Sequence, residues 1–182
     1  NENFDQAIDF LNKIIKQNPN SSFILSMLGD AYNRKTDHKS AIGYYEQAIA
    51  LNPTDAITHF NMGNALQALG NSTAAIESYQ KALNINPVDA EVYNNMGVSL
   101  KDKGDNATAI TTFKRGLKID PDCADAYYNM GNALESSGDH EAAIGSFKEA
   151  IKIRSDYTGA YLDMGEVYHK LGDYKHAKQC FD

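Results

Sequence analysis

Hydrophobic residues recur along this chain with the spacing of amphipathic helices, and they do so as paired stripes. In one such pair, the first stripe consists of Tyr93, Met96, Gly97 and Leu100, which follow an i, i+3, i+4, i+7 pattern. Its second stripe consists of Ala109, Phe113, Gly116 and Leu117. Between the stripes, Gly104 suits a left-handed helix C-cap and Asp105 suits the next N-cap. Pro121 stops the second helix, so the pattern predicts a helix–turn–helix hairpin.

The hairpin repeats every 34 residues along the chain. One glycine keeps this spacing throughout, at Gly29, Gly63, Gly97, Gly131 and Gly165. A single hairpin leaves its apolar faces uncovered, so the hairpins are expected to stack into an all-α solenoid of eleven helices. We expect a single array over residues 1–182, with the last repeat truncated. Its repeats are 1–21 (partial), 22–55, 56–89, 90–123, 124–157 and 158–182.

The repeat resembles the tetratricopeptide repeat (TPR). The residues that match the family pattern are Tyr127, Met130, Gly131, Leu134, Ala143, Phe147 and Ala150. The resemblance implies a right-handed superhelix whose first helices line a concave, ligand-binding groove. Departures are local: Thr36 replaces the glycine between two helices, and Ser155 replaces a proline. We therefore expect a looser helix end near Arg154–Tyr157.

Asparagines on the groove side of the first helices are the leading candidates for ligand binding. Asn61, Asn95 and Asn129 share one phase of the repeat, and Asn64 and Asn132 stand one turn later. An Asn amide offers both a donor and an acceptor, so this column suits the backbone of an extended peptide. It resembles the asparagine ladder in the TPR arm of O-linked N-acetylglucosamine transferases. The alternative is compositional, because 17 of 182 residues are Asn.

Charge narrows the expected partners. The net charge of −7 argues against nucleic-acid binding, which relies on Lys and Arg. The groove is expected to prefer neutral or basic segments because its acidic positions include Asp125, Glu135, Asp163 and Glu166. A chaperone tail of the EEVD type is disfavoured, since the positions that would need cations hold Phe60, Asp125 and Asn129.

Residue patterns for catalysis are absent from the sequence. It has no phosphate-binding loop, nucleophile elbow or HExxH motif, so we expect no enzyme activity, no cofactor and no metal. His169, Asp173 and His176 straddle a turn, and we interpret them as solvated surface. No apolar run approaches the ~18 residues of a membrane helix. Cys123 and Cys180 lie 57 positions apart, which suits a reducing, cytoplasmic compartment.

These patterns predict a non-enzymatic scaffold that binds an extended, neutral-to-basic peptide in its groove. Two alternatives remain. One is a substrate-recognition arm of a larger enzyme, such as a glycosyltransferase, whose catalytic domain lies elsewhere. The other is an architectural oligomer that associates end to end. Because the chain starts at Asn1 and both ends fall within repeats, we expect a fragment of a longer protein.

Overall fold

A computed structural model describes residues 2–182, with side chains from Phe4 onward, and this part of the chain forms eleven helices and no strand. The fold is therefore the all-α solenoid that the periodicity predicts. The chain divides into two compact units, which meet in sequence between Val88 and Asp89. Each unit is described by itself.

The first unit contains five helices. They are α1 (Glu2–Gln17), α2 (Ser22–Arg34), α3 (His38–Leu51), α4 (Ala56–Ala68) and α5 (Ser72–Ile85). Successive helices pack against each other, and α2 also contacts α4. The unit is thus a stack of hairpins in which the first helices of two repeats, α2 and α4, are neighbours.

The second unit continues the same pattern with six helices. They are α6 (Ala90–Asp102), α7 (Asn106–Ile119), α8 (Ala124–Ser136), α9 (His140–Ile153), α10 (Thr158–Lys170) and α11 (Tyr174–Phe181). Here α6 contacts α8, and α8 contacts α10. From α2 to α11, first helices begin at 22, 56, 90, 124 and 158, and second helices at 38, 72, 106, 140 and 174. Both series keep the 34-residue step.

The turns inside the hairpins carry the predicted caps. Asp105 accepts a hydrogen bond from the Thr108 amide at the start of α7, and Gly104 has a φ of +83°. Thr36 takes the same left-handed conformation, with a φ of 66°, although it is β-branched. This backbone is strained for any residue with a Cβ, so the repeat geometry overrides the local preference at Thr36.

Aromatic rings seated on glycines close the hairpin cores. Phe113 and Phe147 are fully buried, and they lie on Gly97 and Gly131 of their own hairpins. A Cβ added to Gly131 would come within 2.6 Å of the Phe147 ring, closer than atoms in contact can pack. The glycine therefore sets how closely the two helices approach.

The helix end near Ser155 is not looser than its counterparts, so that prediction is wrong. Helix α9 ends at Ile153, the same phase at which α5 and α7 end. Arg154 and Tyr157, which follow it, both bind the side chain of Asp125. These long-range contacts hold the connection where other repeats carry a proline.

Candidate functional site

Four of the predicted groove residues line one polar cleft in the second unit. The cleft has a volume of about 240 Å³, and it lies along the first helices α6, α8 and α10. The four residues are Asn132, Glu135, Asp163 and Glu166. Lys101 and Lys170 add basic groups, and the fully buried Phe147 of α9 lies beneath the cleft. The 34-residue period brings these side chains together because it gives each first helix the same orientation.

The cleft carries more acidic than basic side chains, and one of its lysines already pairs with one of its acids. Lys170 donates a hydrogen bond to Glu135, and this contact raises the pKa of the lysine. The Nζ atom of Lys101 lies 3.7 Å from Oδ1 of Asp102, the next residue on the same helix. Among the described residues, Asp163 and Glu166 have no ion-pair partner. Lys170 also acts electrostatically on both, so the cleft presents two carboxylates that share one lysine with Glu135 and form no direct ion pair of their own.

Tyr128 links the two first helices beside the cleft. Burial raises the pKa of Tyr128, and its hydroxyl also interacts with the side chains of Asn132 and Asp163. Its ring lies 4.9 Å from that of Tyr157. The Tyr128 hydroxyl also has room because Gly159 faces it, where an added Cβ would lie 3.4 Å away. Tyr128 thus connects Asn132 on α8 with Asp163 on α10.

The predicted asparagines of the second unit form a chain of amides. Asn129 donates a 3.1 Å hydrogen bond to Asn94, and Asn94 donates one of 3.4 Å to Asn95. An Asn amide has two N–H groups and one oxygen with two lone pairs. Asn129 therefore keeps one N–H and its oxygen for a ligand.

Asp125 is not one of the cleft residues, and its charge is already neutralised. Arg154 donates hydrogen bonds of 3.0 and 3.1 Å to its two oxygens, and Tyr157 donates one of 2.7 Å. The Arg154 guanidinium holds the pKa of Asp125 below its ordinary value of 3.8. The structure thus places Asp125 in a structural ion pair, whereas the sequence suggested a free groove acid.

The predicted asparagines of the first unit bind neighbouring groove residues. Asn61 donates a 2.8 Å hydrogen bond to Asp30, and Tyr45 donates one of 2.8 Å to the same oxygen. Asn64 accepts a 2.7 Å hydrogen bond from Tyr79. Asn64 is thus bonded by the buried tyrosine of its own hairpin, whereas Asn61 reaches the preceding hairpin through Asp30.

Matches to known sequences decide the family. A model described as a TPR repeat matches residues 29–70, 63–104, 99–138 and 131–172, and one described as a tetratricopeptide repeat matches residues 1–21. The chain belongs to the TPR family. No curated protein sequence matches it significantly.

Solved structures share this TPR fold. A crystal structure of MamA is 28% identical, with a TM-score of 0.81, and the match covers 85% of this chain and 90% of that chain. A MamA fragment, 41-end, from Desulfovibrio magneticus RS-1 is 20% identical, with a TM-score of 0.83 and coverage of 88% and 90%. YrrB, described as a TPR protein with an unusual peptide-binding site, is 16% identical, with a TM-score of 0.78 and coverage of 93% and 88%. The last two likenesses show the fold alone.

Sequence reasoning missed an apolar surface on the groove side of the first TPR unit. Phe23 and Ile57 are 72% and 69% exposed, and Met27 is 39% exposed. Phe23 and Ile57 occupy the phase that holds Glu91 and Asp125 in the second unit. The signal was visible as apolar residues at groove positions, and it makes the first unit less polar there than the second.

The sequence also gave no sign that Arg154 and Tyr157 would neutralise Asp125. The one available hint was Ser155, which stands where proline is expected and leaves the flanking residues able to reach back to α8.

The described part of the chain contains no cluster of His, Cys, Asp or Glu side chains suited to a metal ion. His176 lies 2.6 Å from Asp173, which also caps α11. None of the described helices has both the length and the apolar character of a membrane span.

Proposed function

We propose that this TPR chain is a non-catalytic protein-interaction module that binds an extended, neutral-to-basic peptide along its first helices. The observation that carries this proposal is the cleft of the second unit, which Asn132 lines together with Asp163 and Glu166, two carboxylates without a direct ion pair among the described residues. A site for such a peptide needs amides that hydrogen-bond its backbone and carboxylates that bind its basic side chains.

The asparagines supply contacts to the peptide backbone. Asn129 has an N–H and an oxygen left after its bond to Asn94, which matches the C=O and N–H of a peptide group. Neighbouring helices pack ~8–10 Å apart and an extended peptide rises ~3.3 Å per residue. Asn95 and Asn129 would then engage roughly every third residue of the ligand.

The acidic residues set the preference for charge. A Lys or Arg of the peptide bonds Asp163 or Glu166, both of which lack an ion-pair partner among the described residues. Glu135 shares its charge with Lys170, and Asp125 shares its charge with Arg154. These two acids contribute less to the preference than their place in the sequence suggests.

The first unit binds peptide by its own residues. Asn61 and Asn64 contact the backbone there, and the exposed Phe23 and Ile57 favour apolar side chains. YrrB, which shares this fold, is described as having an unusual peptide-binding site, and this supports a peptide as the class of ligand.

Two further expectations are part of the proposal. Both cysteines are free in the structure, which is compatible with a reducing, cytoplasmic compartment. Self-association through repeat ends is supported by α1, where Phe10 is 62% exposed and Ala7 is exposed too. Nucleic acids and EEVD-type tails are not expected to bind, since the cleft is acidic.

The test uses three extended peptides that differ only in charge: basic, neutral and acidic. We expect the basic peptide to bind most tightly, by isothermal titration calorimetry at low salt. The Asp163→Asn/Glu166→Gln variant should lose at least fivefold in affinity for it. The matched control is Glu77→Gln/Glu141→Gln, which makes the same change in net charge at exposed positions of second helices. Equal losses in both variants would mean that net charge alone, not the cleft, attracts the peptide.

A further inference from the structure

A second cleft opens in the first unit, away from the groove. It lies between the second helices α3 and α5, and α4 forms its floor. Two adjoining cavities of about 350 and 360 Å³ share Ile49, His59 and Lys81 as lining residues. Pro53 and Met62 add apolar surface. Each volume lies within the ~300–1,000 Å³ typical of ligand pockets. We refer to this space as the His59 cleft.

His59 itself is fixed at the floor of the His59 cleft. The residue is only 5% exposed, and its Nε2 lies 3.0 Å from the carbonyl oxygen of Pro53. Because a carbonyl oxygen only accepts hydrogen bonds, Nε2 carries a proton and donates it. The imidazole is therefore held in one orientation by the backbone of the preceding loop, and it cannot swing out to fill the space above it.

Three other repeats carry a tyrosine, a larger residue, at the position of His59. The phase of His59 is occupied by Leu25, Tyr93, Tyr127 and Tyr161. Tyr127 on α8 contributes electrostatically to the raised pKa of Lys152 on α9. Lys152 stands two repeats after Asn84, which lines the His59 cleft. By the repeat register, the cleft therefore lies beside the position at which the second unit carries tyrosines.

The rim of the His59 cleft carries one charge of each sign. Lys81 on α5 and Glu46 on α3 both line it, and neither forms an ion pair among the described residues. A phenol hydroxyl can donate a hydrogen bond to the Glu46 carboxylate or accept one from the Lys81 ammonium. A phenol is neutral at pH 7 and apolar along its ring, so it complements both the rim and the apolar walls.

We propose that the His59 cleft binds a tyrosine side chain presented by a partner protein, in the place that the chain's own tyrosines fill in other repeats. Residues 59 and 61 point ~200° apart around a helix, so the cleft lies on a different side of α4 from Asn61. This interaction surface is independent of the proposed peptide groove.

The probe is N-acetyl-L-tyrosinamide, a neutral mimic of a tyrosine within a protein. It is titrated into the whole chain while the imidazole protons of His59 and the backbone amides are followed by NMR. We expect saturable shifts at His59 and Ile49, with a dissociation constant on the order of millimolar for so small a ligand. N-acetyl-L-alaninamide should cause none. Absence of saturable shifts with the tyrosine mimic overturns the proposal.

Two variants locate the binding. His59→Tyr fills the cleft with the residue that three other repeats carry at this phase, so the fold is retained and the shifts on α3 to α5 should vanish. Asn61→Ala, on the other side of the same helix, should leave them unchanged. Shifts that persist in His59→Tyr, or that disappear in Asn61→Ala, contradict the assignment. The groove proposal is tested with the charged peptides and the Asp163→Asn/Glu166→Gln variant, so its failure would be seen independently of this titration.

Discussion

Arg154 forms a two-pronged ion pair with Asp125, with hydrogen bonds of 3.0 and 3.1 Å. The pair joins the connection after α9 to the first turn of α8, within one hairpin. It also removes from the groove one of the acids that the sequence offered as a ligand contact. Of the acids in the cleft, Asp163 and Glu166 are consequently the two without a direct ion pair among the described residues.

The Asp125–Arg154 pair predicts a pH-dependent contribution to stability. In the folded state the pKa of Asp125 is held below its ordinary value of 3.8. The pair therefore contributes its full stability above pH 3.8, and this contribution is lost as the pH falls through the folded-state pKa of Asp125. Both side chains are about half exposed, so Asp125→Asn should cost about 0.5–1 kcal/mol at pH 7. Urea unfolding at pH 7 and at pH 2.5 measures this. A cost that stays the same at the lower pH would contradict the prediction.

The same pair predicts that Asp125→Asn has little effect on ligand binding. Because Arg154 already neutralises the carboxylate, affinity for the basic peptide should change less than twofold. Isothermal titration calorimetry measures the affinity of the Asp125→Asn and Asp163→Asn variants for the same basic peptide. A larger loss for Asp125→Asn than for Asp163→Asn would show that the ion pair opens for the ligand.

Gly131→Ala should destabilise the second unit. The added Cβ would lie 2.6 Å from the fully buried Phe147 ring, and forcing the helices apart costs about 1–3 kcal/mol. The matched control is Gly145→Ala in α9, where a Cβ meets nothing within 4 Å; there, helix propensity should increase stability by about 0.5–1 kcal/mol. Thermal unfolding of both variants should therefore give shifts of opposite sign.

Thr36→Gly should stabilise the first unit. Thr36 has a φ of 66°, which costs a residue with a Cβ about 1–2 kcal/mol. Glycine relieves this strain, but its greater flexibility in the unfolded chain lowers the free energy of unfolding by about 0.5–1 kcal/mol. We expect a net increase near 0.5–1 kcal/mol in urea unfolding. The reverse change, Gly104→Thr, should be destabilising, and a decrease in stability for Thr36→Gly would contradict the role assigned to strain.

The sequence predicts the helices well and the side-chain contacts poorly, for a physical reason. A 34-residue period fixes where helices begin and which side of each faces the groove, so Asn132, Glu135, Asp163 and Glu166 are brought to one cleft. Backbone periodicity does not fix which long, exposed side chains meet. The Lys170–Glu135 contact spans 35 positions, and it depends on rotamers that no repeat pattern specifies.

The wrong expectation at the end of α9 has the same origin. Proline stops a helix by a local effect, and its loss at Ser155 suggested a loose end. Arg154 and Tyr157 replace that local effect with contacts to Asp125. Likewise, the smaller His59 stands at the phase of Tyr127, and the cavities beside it become visible only once the helices are packed.

The measurement that tests the groove most directly is a pull-down from a matched lysate, read by mass spectrometry. The wild-type chain is compared with the triple variant Asn61→Ala, Asn95→Ala, Asn129→Ala, with folding checked by circular dichroism. The control variant is Asn18→Ala, Asn20→Ala, Asn52→Ala, at exposed positions outside the first helices. We predict partners that the wild type and the control capture and the folded triple variant loses. Equal capture by all three would contradict peptide binding through the groove asparagines.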